Sequence, residues 1–401
     1  MTKPIDAERS PWVVFLVFLK LGLTSFGGPV AHLAYFHDEF VVRRHWLSER
    51  NYADLVALCQ FLPGPASSQV GMAIGVSRAG YWGACAAWAG FTLPSAAAMV
   101  IFALGMVTHG DAIPAEWLDG FKAVAVAVVA QAVWGMGRHQ CTDVWRASIM
   151  AIAASCALLL PSAWGQVLII GIAGLAGLWA IKPAATAGHD PLPISVGPRA
   201  GLAWLTLFGL LLAALPIVAV STGSHTLQLL DAFYRAGALV FGGGHVVLPL
   251  LQAQVVPPGW VDNETFLAGY GLAQAVPGPL FTFAAFLGAA MNQAPTAWAG
   301  GMLCLVALFA PAFLLVVGAL PFWEALRRNA SAQAALAGIN AAVLGLLLAA
   351  LYQPVWTSTI HRPQDFVLSL LAFVALTFWK IPPWLVVLGG GAAAWGLNYA
   401  V

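Results

Sequence analysis

Of the 401 residues, 61% are hydrophobic and only 8% are charged, where soluble domains carry about a quarter charged residues. The apolar residues run continuously instead of alternating, which excludes a strand barrel and specifies an all-α polytopic membrane protein with spans of about 20 residues. A net charge of +1 leaves no electrostatic footprint for nucleic acid, so no such partner is expected.

Taken in order, the first residues carry Lys3, Asp6, Glu8 and Arg9 and lead into an apolar segment with no small-residue cleavage site, so no cleaved signal is expected. Next comes Phe26-Gly27-Gly28-Pro29, then Pro63-Gly64-Pro65, both in apolar surroundings. Glycine costs about 1 kcal/mol and proline about 3 inside a helix, so these clusters mark places where helices stop and restart. The same pair recurs as Phe241-Gly242-Gly243-Gly244 and Pro277-Gly278-Pro279.

Setting Phe26 over Phe241 also puts Lys20 over Arg235, and one gap then stacks Trp46 on Trp260 and Gln60 on Gln274. Further on, Gly120-Phe121-Lys122-Ala123 matches Gly338-Ile339-Asn340-Ala341, and Trp164 matches Trp384. Ordered matches of this kind indicate duplication. The expected organisation is a first repeat over 1–182, a linker with one added span over 183–228, and a second repeat over 229–401. An odd number of crossings between repeats makes them enter the membrane from opposite sides, an inverted-topology plan common to secondary transporters.

Basic residues mark cytoplasmic loops. Lys3 and Arg9, then Arg43, Arg44 and Arg50, then Arg78, all read as inside, so each broken segment of the first half starts and ends on one side. A re-entrant helical hairpin with its break at the apex is expected; two discontinuous full crossings are the alternative. His109 to Glu116 reads outside, Arg138 and Arg146 inside, Pro161 to Gln166 outside, and Lys182 with Arg199 inside. The second half mirrors this, with Arg362 as the exception. Two hairpins and four spans per half, plus the linking span, place the amino terminus in the cytoplasm and the carboxyl terminus in the periplasm.

Irregular backbone at membrane depth persists only where protein or water surrounds it. Helix amino termini after Pro29, Gly244, Pro65 and Pro279 aim positive dipole ends at the breaks, which favours an anion. Thr24, Ser25, Ser67, Ser68, Gln69 and Thr282 supply polar groups nearby, with His245 beside the third break. For each hydroxyl taken alone, bonding to its own helix backbone is the ordinary account; the case for a site rests on their clustering. Lys20 and Arg235 supply charge at matched positions, an expensive feature inside a span, with snorkelling or pairing to Asp231 as the structural alternative. Gln60 and Gln274 can donate to oxygen or cap a broken leg. Asp54, with Ala268 as its counterpart, and His245 are the candidate proton carriers.

His32, His37 and His45 have no metal-ligand spacing, and the five cysteines lie scattered as packing residues, so neither a metal nor a cofactor is expected. No hydrolase or nucleotide-binding motif occurs, and no enzymatic activity is expected.

Together these four motifs resemble the repeated signatures of the chromate transporter family in its long, two-domain form; shorter members carry one half and work in pairs. What the resemblance implies is a secondary transporter of the inner membrane that exports chromate and confers chromate resistance, with sulfate as a close analogue. The substrate site expected at the four breaks comprises Lys20, Thr24, Ser25, Phe26, Gly27, Gly28, Gln60, Pro63, Gly64, Pro65, Ser67, Ser68, Arg235, Phe241, Gly242, Gly243, His245, Gln274, Pro277, Gly278, Pro279 and Thr282. Gly244-His245 departs from Pro29-Val30 of the first half. Another tetrahedral oxyanion as substrate, and an anion channel on the same plan, are the open alternatives; partners are the anion, the lipid bilayer and, left open, a second copy in a homodimer. A dianion leaving a cell negative inside gains about 4.6 kcal/mol at 100 mV, so export needs no ATP.

Overall fold

The computed structural model describes residues 10–109, 115–160, 162–181 and 196–400. The expected amino-terminal charges, the tip of the His109 to Glu116 loop, Pro161 and the linker from Lys182 to 195 lie outside the described residues. Among the described residues every regular element is a helix. Among the described residues six helices are long and apolar enough to cross a membrane, and shorter apolar helices accompany them.

The first half opens with α1 (Pro11–Thr24), started by Pro11 and by Ser10, whose side chain accepts from the Trp12 N–H. After the first break comes α2 (Gly28–His37), which runs into a π turn over Asp38–Arg43. These legs fold back on each other, because the Phe18 ring lies 5.5 Å from Phe36 and 5.0 Å from Phe40. Ser48 caps α3 (Glu49–Phe61), and α4 (Ala66–His109) follows the Pro-Gly-Pro. Arg78 lies 4.8 Å over the Trp46 ring, so the outer ends of this second hairpin also meet.

α4 is itself two antiparallel legs. Ala79 and Gly80 leave helical geometry, with Gly80 at φ +61. A Cβ on Gly75 would run into the carbonyl of Gly83, whereas eight residues of straight helix span about 12 Å. Three more helices complete the half: α5 (Ala115–Gln140), α6 (Val144–Leu159) and α7 (Ala163–Ala180). α8 (Pro198–Thr222) links the halves.

In the second half, α9 (His225–Ala238) and α10 (Val247–Val255) flank the third break, and α11 (Asn263–Ala273) and α12 (Phe283–Ala289) flank the fourth, each second leg preceded by a 3-10 turn. Arg235 reaches Gln254 across the first pair, and Phe266 packs 5.1 Å from Phe283 across the second. α13 (Ala297–Ala319), the short α14 (Trp323–Arg328), α15 (Ala330–Ala350), α16 (Pro363–Thr377) and α17 (Pro383–Ala400) follow.

Two bundles result. The four hairpins pack with the second leg of α4, α8 and α13; the remaining long helices, α5 to α7 and α15 to α17, pack with one another. Glycine sets the close approaches that hold helices together where lipid offers no hydrophobic drive: Gly22 of α1 lies on the Gly90 backbone of α4, and Gly120 of α5 on Gly390 of α17. The second leg of α4 and α13 run antiparallel. Trp88 of α4 meets Phe309 of α13, while Val100 meets Gly301.

Candidate substrate site at the four helix breaks

Glycine makes each turn possible. Gly27 and Gly28 (φ +102 and +77), Gly64 (+123), Gly242 and Gly243 (+75 and +154) and Gly278 (+98) all occupy conformations that side chains resist. The first restart begins at Gly28, one residue before Pro29. Backbone bonds then tie the breaks across the halves. Gly64 N–H donates to the Val240 carbonyl at 2.7 Å, and Gly278 N–H donates to the Ser25 carbonyl at 2.9 Å. Ser25 and Val240 are matched residues, each preceding the phenylalanine of its motif, so these bonds are related by the repeat. Pro29 packs beside Gly244, which brings the first and third breaks together.

Supporting side chains lock the turns. Gln69 Nε2 donates to the Pro63 carbonyl at 2.8 Å, leaving Gln69 Oε1 buried without a protein partner. Ser95 Oγ, from α4, donates to the Pro277 carbonyl at 2.5 Å. Ser25 Oγ, Ser68 Oγ and Gln274 Nε2 are buried and hydrogen-bond to nothing in the protein. Unsatisfied buried polar groups are costly, and a ligand or water is the usual explanation. Ser67 Oγ lies 3.4 Å from His32 Nδ1, and His245 Nδ1 lies 2.7 Å from the Tyr270 hydroxyl. Thr24 and Thr282 instead bond the carbonyls of Lys20 and Pro279, as helix residues with free hydroxyls do. Gln60 is exposed; Phe26 lies 6.3 Å from Trp384, and Phe241 is half-buried.

The two cations stand in different surroundings. Arg235 is buried, pairs with Asp231 at 2.6 Å, and lies 4.4 Å over the Trp164 ring, with Nε and one terminal nitrogen unpartnered. Lys20 is exposed. Glu39, an acid of the same hairpin, is held by Arg43 at 3.1 Å and Arg44 at 2.6 Å. Asp54 is buried. Among the described residues no three His, Cys, Asp or Glu side chains gather as metal ligands.

Three residues escaped the sequence reading. Gln140 and Asn340 converge on Gly242, where a Cβ would lie 3.0 Å from Gln140 Nε2 and 3.3 Å from Asn340 Oδ1; both side-chain oxygens are buried and unpartnered. Ser95 is the third. A polar residue within an apolar span was the available signal, but it gives no hint of which break the residue serves.

The family model described as chromate transporter matches residues 12–178 and, a second time, residues 227–395. The chain belongs to the chromate transporter family. Both family matches contain two of the breaks, so the family signature is carried by each half. Relatives in the same family include a chromate transport protein of Pseudomonas aeruginosa, 30% identical over 416 residues that cover 98% of this chain and 94% of the relative. A probable chromate transport protein of Synechococcus elongatus is 28% identical, covering 91% of this chain and 88% of the relative. A chromate transport protein of Cupriavidus metallidurans is 25% identical, covering 95% and 91%. No solved structure of another protein matches the chain.

Proposed function

We propose that this protein is a secondary transporter that moves chromate out of the cytoplasm across the inner membrane and thereby confers chromate resistance. The observation that carries the reading is the meeting of the four breaks: unpaired hydroxyls of Ser25 and Ser68 and the Gln274 amide stand beside restarted helices, a setting that suits a tetrahedral oxyanion. The names of the full-length relatives support chromate as that anion. Inverted re-entrant repeats, entering in pairs from opposite faces, fit the folded-back hairpins and the antiparallel run of α4 against α13.

Direction follows from charge. Two negative charges leaving a compartment held 100 mV negative gain about 4.6 kcal/mol, which drives export and opposes entry. Chromate uptake into inside-out vesicles, with and without an imposed potential and with sulfate as competitor, tests the reading. Saturable uptake that grows with interior-positive potential is expected. Saturable sulfate transport indifferent to chromate overturns the choice of substrate, and flux that never saturates overturns the carrier in favour of a channel.

A further inference from the structure

Matched residues of the two halves stand at different heights against the flanking bundle. Trp164 and Trp384 are equivalent, yet Arg235 lies over Trp164 at 4.4 Å while Phe26 lies beside Trp384 at 6.3 Å. Arg235 corresponds to Lys20, six residues before Phe26. At 1.5 Å per residue, the two hairpins are offset by roughly 9 Å along their tryptophans.

Packing shows the same offset. On α11, Gly271 lies on the Phe121 backbone of α5, with Leu267 buried alongside. α10 packs on α7 and α15. The matched faces of the first half lie open: Ala53, Ala57 and Gln60 on α3, Ala34 and Tyr35 on α2, and Asp38 at the start of the π turn, are exposed. Gly242 is backed by Gln140 and Asn340, whereas its counterpart Gly27 is exposed and meets only Ala31. One sequence plan is therefore docked along α10 and α11 of its second half and open along α2 and α3 of its first.

We propose that the hairpin bundle slides as a body along α5–α7 and α15–α17 by roughly 9 Å, exchanging the second half's contacts for the mirror set, and that Lys122 then stands at Gly27 as Asn340 now stands at Gly242. Lys122 is the residue matched to Asn340. It is buried within α5, with Asp119 at 2.7 Å. α17 packs antiparallel on α5, with Gly390 against Gly120 and Val124 and Gly391 against Trp117. Trp384, six residues earlier, lies about six residues further along α5, near position 128. A shift of the same length carries Phe26 and Gly27 from that level to Lys122. One end of the stroke then presents amides to the anion and the other an amine. This rests on the transporter reading, although the movement itself does not depend on which anion is carried.

The test traps each position in full-length protein, reconstituted with its five native cysteines replaced by serine. Gln166→Cys of α7 with Pro249→Cys of α10, whose carbonyl accepts from Gln166 Nε2 at 3.3 Å, joined by a short bifunctional thiol reagent, reports the position seen here. Ala57→Cys with Ile339→Cys reports the mirror position, since the Phe121 Cβ lies 3.4 Å from a Cβ on Gly271, within disulfide reach. Both links are expected to form, and each to stop transport until released. A first link with no second in transporting vesicles, or transport that continues with either link closed, overturns the movement. Should a pair fail to fold, spin labels at exposed Leu16 of α1 and exposed Ser148 of α6 are expected to give two distances; a single narrow distance overturns it equally. Lys122→Gln is expected to cut transport roughly tenfold, the loss of one charge-assisted bond, with both links intact and with rescue by Lys122→Arg. Full transport by Lys122→Gln removes Lys122 from the second position.

Discussion

Gly64 donates its backbone N–H to the carbonyl of Val240 at 2.7 Å, so the second break of one half is tied to the first break of the other. Gly278 makes the matched bond to Ser25 at 2.9 Å. Neither half completes its own turns: each supplies a donor glycine and an acceptor carbonyl to its partner. Breaks bonded this way move together, which is why the hairpins act as one body.

Gly278→Ala is expected to destabilise the fold by roughly 1–3 kcal/mol through its left-handed backbone alone. More is expected from the added methyl, which would run into Ser95 Oγ. Thermal unfolding in detergent checks this. Ser95→Ala in the same chain relieves the collision but not the backbone strain, so partial recovery is the expected outcome.

Arg235→Ala is expected to lower stability by about 3–5 kcal/mol, because Asp231 would be left as an uncompensated buried charge. Asp231→Asn combined with Arg235→Gln should recover much of the folded yield, read by size-exclusion profile. Transport by that double variant separates the two roles of Arg235: recovered transport makes the guanidinium structural, and continued loss places it on the anion.

Ser25→Ala and Ser68→Ala delete hydroxyls that bond nothing else in the protein. Each is expected to raise the apparent KM for chromate about tenfold or more, the scale of one hydrogen bond to a charged group, without lowering thermal stability. Thr24→Val and Thr282→Val remove hydroxyls already spent on helix carbonyls, and KM is expected to stay within about twofold for both. Equal effects in the two sets would sink the assignment of Ser25 and Ser68 to the site.

Gly242→Ala places a methyl 3.0 Å from Gln140 Nε2 and 3.2 Å from Met136 Cε, at φ +75. Transport is expected to fall sharply. Adding Gln140→Ala opens the space but not the backbone, so vesicle assays should show incomplete rescue; complete rescue would mean that crowding alone matters there.

The breaks were legible in the sequence because glycine and proline act on their own backbone. Arg43, Arg44, Arg50 and Arg78 raised the expectation of folded-back legs, and Phe18 with Phe36 joins the two legs of the first hairpin. The pairing of Ser25 with Gly278, the seat of Ser95 on the Pro277 carbonyl, and the convergence of Gln140 with Asn340 were not. They join residues from 182 positions apart, as for Ser95 and Pro277, and nothing in local composition encodes a contact at that range.

Lys20 and Arg235 show the boundary most sharply. The sequence by itself determined that both sit six residues before a break in matched helices, because duplication copies chain positions. Only the tertiary structure decided that Arg235 is buried against Asp231 and Trp164 while Lys20 is exposed. The two halves share a plan but dock differently on the flanking helices, and docking is set by packing between distant surfaces, which duplication of sequence does not fix.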